Sequence, residues 1–127
     1  NKIKPALQKK KIVICDRFID STFAYQVYGK KVDKLFINQI HNFILQGIKP
    51  NIVFVLKVSS KSSKKRLKKR KTKNRYDNFN QSFYTKAQKS FLKIAKGKKN
   101  YFVLNSSVND KSLEKKIFNI IQKNLKI

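Results

Sequence analysis

Asp16 and Arg17 are the residues of this chain best suited to chemistry. They follow a short apolar run, Ile12-Val13-Ile14-Cys15, which itself follows a lysine-rich lead-in. A buried strand that delivers a carboxylate and a guanidinium at its C-terminal end is a common way to build a phosphate site in α/β proteins. The planar guanidinium can hold two oxygens of one phosphate at once. Next comes Ile19-Asp20-Ser21-Thr22-Phe23-Ala24-Tyr25-Gln26, a polar and aromatic mixture. A second cluster occupies residues 64–75, which are almost entirely basic, with Leu67 the only apolar residue. Such a segment is a solvated helix and loop, or it grips anions. Arg66, Arg70 and Arg75 stand out there among lysines. Each feature also has a plainer use. Asp-Arg after a strand serves as an ion pair or a helix cap, Ser21 or Thr22 as an N-cap, and Tyr25 as core.

The elements that must position these groups follow from periodicity and from capping residues. Residues 11–15 are short, β-branched and apolar on both faces, which predicts a parallel strand covered by helices on both sides. Residues 16–28 read as a loop turning into a helix, with Gly29 as its stop. Asp33 predicts the N-cap of the next helix, whose apolar positions Phe36, Ile37, Ile40, Phe43 and Ile44 recur at helical spacing. Gly47 and Pro50 terminate it. Ile52-Val53-Phe54-Val55-Leu56 is the clearest strand. Ser59 to Ser63 can cap a helix beginning near Ser60. A further amphipathic helix is predicted over 79–96, with Phe83, Ala87, Phe91, Leu92 and Ile94 on it and Gly97 closing it. Residues 101–104 predict a third strand and 105–110 a polar loop. A last helix over 113–125 carries Leu113, Ile117, Ile120 and Ile121 on one face. Strands alternating with helices argue for an α/β layer with parallel strands and right-handed crossovers.

The 127 residues fit one domain or part of one, and an apolar content of 40% is enough for a core. The formal net charge of +26 suggests nucleic acid or another polyanion. Abundant lysine, asparagine and isoleucine with scarce glycine equally fit the coding bias of an AT-rich genome. Cys15 is the single cysteine, so no intrachain disulfide forms, and a reducing cytoplasm is the expected location. Inside its strand Cys15 is expected to be inert core. No apolar segment approaches the length of a membrane span. His41, the single histidine, has no cysteine or carboxylate cluster near it in sequence and is given no metal or base role. The opening turn, Ile3-Lys4-Pro5-Ala6-Leu7, reads like the end of a helix already under way. A fragment lacking its N-terminal part is therefore the expectation.

IVICDRFIDSTFAYQ resembles the Asp-Arg-Tyr/Phe segment of bacterial thymidylate kinases, with Asp-Arg, Ser-Thr and Ala-Tyr-Gln at that family's spacing. GIKPNIVFVLKVS resembles the family's turn and following strand. KKRLKKRKTKNRYDNFNQSFYTKAQKSFLKIAK resembles its lid and the helix after it, and YFVLNSS its last strand and adenine-side loop. The resemblance implies a P-loop NTPase-like three-layer α/β/α fold with a parallel sheet. Residues 1–127 would form the C-terminal part of one nucleoside-monophosphate kinase domain, with the lid at about 60–78. It implies transfer of the γ-phosphoryl group of ATP to dTMP, with Mg2+, in a cytoplasmic homodimer. Arg17 would then hold the dTMP phosphate, with Asp16 near the magnesium through water. Ser21 and Thr22 would bond the thymine edge, Tyr25 would pack on the sugar and disfavour a ribose hydroxyl, and Gln26 would complete the polar wall. Arg70 would close over the ATP phosphates, with Arg66 one helical turn earlier as the second candidate. Arg75 matches an Asp-Arg-aliphatic-Glu segment, with Asn74 and Tyr76 departing from it.

The family's phosphate-cradling loop, G-x-x-x-x-G-K-[ST], does not occur in the sequence, whose three glycines are isolated. In relatives that loop follows a first strand in the middle of the sheet, between the strands at Ile12 and Ile52. The fold is thus expected to be incomplete, lacking the N-terminal strand and the P-loop. This chain by itself is expected to be neither a competent kinase nor stably folded. Two alternatives stay open: another nucleoside or nucleoside-monophosphate kinase, and a basic nucleic-acid-binding module.

Overall fold

The computed structural model describes residues 2–69, 81–107 and 111–125. The chain divides into two compact units, Asn1–Pro50 and Asn51–Ile127.

The first unit is helical. α1 spans Ile3–Gln8, and the chain then runs without regular structure to Arg17. The strand expected over residues 11–15 is absent. A strand exists only through a partner that takes its backbone hydrogen bonds, and the sheet described here consists of two other strands. Ile12 and Ile14 are accordingly 67% and 91% exposed. Cys15 is exposed as well, which corrects its expected place in the core.

α2 (Ile19–Thr22) runs directly into a π-helical turn, Phe23–Val27, and then α3 (Tyr28–Lys30). Gly29 lies inside this helix and does not stop it. Lys31 does so instead, in the left-handed conformation at φ 60°. The wide π turn frees a carbonyl, and Val32 N–H donates to Gln26 O at 3.0 Å, drawing the chain back on the helix. α4 (Lys34–Leu45) starts as predicted: Asp33 Oδ1 accepts from Phe36 N–H at 2.7 Å. It ends at Gln46, also left-handed, ahead of Gly47 at φ 83°. Fully buried Ala24 and buried Ile37 form the heart of this unit. His41 meets Phe23 edge-on with ring centroids 5.2 Å apart, and its buried Nδ1 has no hydrogen-bond partner among the described residues. The helical spacing predicted for α4 is present, but Phe36, Phe43 and Ile44 on it are exposed, Phe43 by 85%.

The second unit holds the sheet. β1 (Val53–Lys57) and β2 (Tyr101–Asn105) pair in parallel, from Val53↔Tyr101 to Lys57↔Asn105. Phe54 and Phe102 are register partners, and their rings lie 5.9 Å apart. Parallel pairing demands a long crossover, here carrying α5 (Ser60–Lys68) and α6 (Gln81–Ala95). α6 packs on both strands. Its buried residues Ala87, Ser90 and Ala95 are small, which lets backbone approach backbone closely. The buried Ser90 hydroxyl is satisfied by donating to Lys86 O at 2.7 Å. α7 (Lys111–Leu125) turns Leu113, Ile117, Ile120 and Ile121 partly inward, the face its periodicity predicted. Residues 79–80, the expected start of α6, lie outside the described residues.

Candidate functional site

Asp16, Arg17 and Phe18 make the turn between the irregular segment and α2. Phe18 occupies the N-cap position and provides no side-chain cap, so neither Ser21 nor Thr22 caps this helix. Arg17 has φ 65°, a left-handed conformation that an L side chain adopts only at a cost of about 1–2 kcal/mol. Its guanidinium Cζ lies 5.2 Å from the Tyr25 ring centroid, within cation–π range. From the other side the Cys15 thiol approaches Arg17 O at 3.4 Å, a weak sulfur donor to that carbonyl. The turn therefore presents Asp16 and Arg17 as exposed charges while one aromatic ring braces the guanidinium.

Ser21 and Thr22 lie on α2, and Tyr25 and Gln26 lie on the π turn; all four are half-buried. The structure thus places Asp16, Arg17, Ser21, Thr22, Tyr25 and Gln26 along one turn-and-helix segment. The π turn was not foreseen from the sequence. A π turn inserts one residue into a helix and often marks a functional site. The residue types at 23–27 suit an ordinary helix equally well and give no signal of it.

The second unit has its own polar cluster, at the C-terminal ends of β1 and β2, the usual ligand side of a parallel sheet. Ser106 N–H and Ser106 Oγ both donate to Lys57 O, at 2.7 and 3.2 Å. Ser59 N–H donates to Ser107 Oγ at 2.9 Å, and Ser107 N–H donates to Asn105 Oδ1 at 3.0 Å. Ser59 is the N-cap of α5, as predicted, accepting from Ser62 N–H at 3.2 Å. Gln88 Nε2 on α6 donates to Val58 O at 2.6 Å. Arg66 Nη2 donates to Ser106 O at 2.5 Å and more weakly to Ser107 O at 3.5 Å. Of the three arginines singled out in the basic stretch, Arg66 is thus seen bonded to backbone carbonyls. Arg70 and Arg75 lie outside the described residues, as does the later part of the expected lid. Gln88 went unassigned in the sequence because an isolated amide carries no periodic signal.

Parallel strands joined through helices, with polar loops gathered at the strand ends, define an α/β protein. The structure matches that of the thymidylate kinase from Ehrlichia chaffeensis, a crystal structure, with a TM-score of 0.69 and 31% identity, over 96% of this chain and 56% of that one. The fold is accordingly P-loop NTPase-like, with an incomplete parallel sheet.

The family model described as thymidylate kinase matches residues 1–117. The thymidylate kinase of Aster yellows witches'-broom phytoplasma (strain AYWB) is 43% identical over 128 aligned positions, covering 98% of this chain and 59% of that protein. That of Wolbachia pipientis wMel is 47% identical over 94 positions, covering 73% of this chain and 45% of that protein. The chain belongs to the thymidylate kinase family, and it spans about 59% of the length of the phytoplasma relative.

Proposed function

We propose that a protein completing this chain to the length of its relatives transfers the γ-phosphoryl group of ATP to dTMP. A dTMP phosphate oxygen forms the new bond to the γ-phosphorus, the bond to the β-phosphate oxygen breaks, and dTDP and ADP result. The observation that carries this is the family match over residues 1–117, which includes the Asp16-Arg17 turn and its braced guanidinium.

Arg17 takes the dTMP phosphate. Its left-handed backbone and the Tyr25 ring restrict the guanidinium before substrate arrives, which lowers the entropy lost on binding. Ser21 and Thr22 bond the thymine edge, Tyr25 excludes a ribose hydroxyl, and Gln26 closes the polar wall. Arg70 and Arg75 act on the ATP side, Arg70 on the phosphates, where positive charge offsets what builds up on the moving phosphoryl group. Asp16, a single exposed carboxylate, fits Mg2+ held through water, because that ion keeps several of its waters. Held near Asp16, Mg2+ would supply positive charge against that of the phosphates.

The sequence contains no P-loop, so the 127-residue chain by itself is proposed to be inactive. The exposed Leu35, Phe36, Phe43 and Ile44 of α4 support a homodimer of the complete protein. A cytoplasmic location fits the single cysteine, and no described helix is long and apolar enough to cross a membrane. Non-specific polyanion binding follows from the charge of +26 and weakens steeply with salt.

The test is ADP release by the full-length protein with dTMP, dUMP, dCMP and thymidine as acceptors. Preference for dTMP is expected. Turnover favouring dCMP or thymidine points to another nucleoside or nucleotide kinase and rejects the proposal.

A further inference from the structure

We propose that Arg66 is a positioning residue: it fixes the Ser106–Ser107 loop that follows β2, and with it the seat of the ATP base, without touching the ATP phosphates. That this loop seats the ATP base rests on the resemblance of YFVLNSS to the family's adenine-side loop and on the kinase activity proposed above.

The geometry is that of a helix staked at two points. At its start, the Ser59 N-cap donates its backbone N–H to Ser107 Oγ at 2.9 Å. At its far end, Arg66 Nη2 donates to Ser106 O and Ser107 O. Seven residues separate the two stakes along α5, a rise of about 10 Å in a helix. Both land on the same dipeptide. One attachment alone leaves a pivot about which loop and helix can swing, whereas two fix their relative orientation.

The dipeptide is held from below as well. Ser106 is buried, and both its N–H and its hydroxyl donate to Lys57 O at the end of β1. Gln88 of α6 caps the next carbonyl, that of Val58. The loop after β2 thus takes its shape from β1 and α5, while α6 holds the β1–α5 connection at Val58, and Arg66 is the bond among these that comes from a long, exposed, charged side chain. Its acceptors are neutral carbonyls, so they leave its positive charge uncancelled. Both bonds leave from one nitrogen, Nη2, whose two N–H groups serve two successive carbonyls.

The consequence is a division of labour among the arginines. A guanidinium committed to Ser106 and Ser107 sets where the loop sits; it does not stabilise charge on the moving phosphoryl group. Loss of Arg66 should therefore weaken ATP binding and leave the chemical step nearly intact.

The test compares wild type, Arg66→Ala, Arg66→Lys and Ser107→Ala in the full-length protein, with folding checked by circular dichroism. Arg66→Ala is expected to raise KM for ATP about 5- to 20-fold, with kcat and KM for dTMP changed less than about twofold. Arg66→Lys is expected to recover part of that loss, and Ser107→Ala to shift KM for ATP in the same direction. Amide hydrogen exchange in the nucleotide-free protein should show Ser59, Ser106 and Ser107 losing protection in Arg66→Ala. A fall in kcat of a hundredfold or more with unchanged exchange would instead make Arg66 a phosphate ligand and overturn the proposal. Unchanged KM and unchanged exchange would overturn it too. If the wild type fails to phosphorylate dTMP, the functional proposal falls, and the exchange measurement alone still decides whether Arg66 holds the loop.

Discussion

The guanidinium of Arg17 lies over the ring of Tyr25, with Cζ 5.2 Å from the centroid, although eight positions separate them in sequence. The contact spans the turn at Asp16, all of α2 and part of the π turn. Under the proposed function, in which Arg17 takes the acceptor phosphate and Tyr25 packs on the sugar, the contact gives Tyr25 a second task, bracing the guanidinium.

That bracing is testable by separating the ring from the hydroxyl. Tyr25→Phe keeps the aromatic face, and Tyr25→Leu removes it. An exposed cation–π pair is worth about 0.5–1 kcal/mol, so Tyr25→Leu should raise KM for dTMP about two- to fivefold through Arg17 alone. Tyr25→Phe should leave that component intact. Steady-state kinetics on the full-length protein measure both, and equal KM values for the two variants would remove the bracing role.

Arg17 should also show a conflict between stability and function. Its φ of 65° is easy for glycine and costly for other residues. Arg17→Gly and Arg17→Ala both lose the guanidinium and both should lose dTMP turnover by two orders of magnitude or more. They should differ in stability, with the glycine variant more stable by about 1 kcal/mol in urea denaturation. Equal midpoints would show that the left-handed turn relaxes when the side chain is removed.

Asp33 offers a structural control away from the chemistry. Its carboxylate caps α4 through the 2.7 Å bond from Phe36 N–H. Asp33→Ala should cost about 1 kcal/mol, whereas Asp33→Ser or Asp33→Asn should cost only a few tenths. Thermal or urea unfolding of the full-length protein provides the measurement. A serine variant as unstable as alanine would assign the effect to something other than the cap.

Cys15 reports on the segment before the turn. In this chain it is exposed, between Ile14, also exposed, and Asp16. If residues 11–15 pair as a strand in a protein of the relatives' length, the thiol becomes covered there. Native labelling of the longer protein with a thiol reagent should then be at least about tenfold slower than labelling of the same protein unfolded in urea. Similar rates in the native and the unfolded protein would mean that the segment remains unpaired.

Much of the architecture was legible in the residues because it depends on near neighbours. Asp33 and Ser59 each cap a helix by accepting from an N–H three positions on, so a short window contains donor and acceptor. β1 and β2 are apolar runs that announce themselves, and the inward face of α7 follows from a period of 3.6. The Asp16-Arg17 turn was also legible, because a charged pair closing an apolar run is a local pattern.

What the tertiary structure alone decided rests on partners far along the chain, or on backbone choices that side chains do not encode. Residues 11–15 have every local property of a strand and are not one, because a strand is made by its neighbour. Gly29 had the composition of a stop, but Lys31 took the left-handed position. The π turn at Phe23–Val27 and the positive φ of Arg17 belong to residue types that favour neither. Arg66 sits in a run of lysines that reads as solvated charge. Its bonds reach Ser106 and Ser107, some forty positions away, and only folding brings that helix and that loop together.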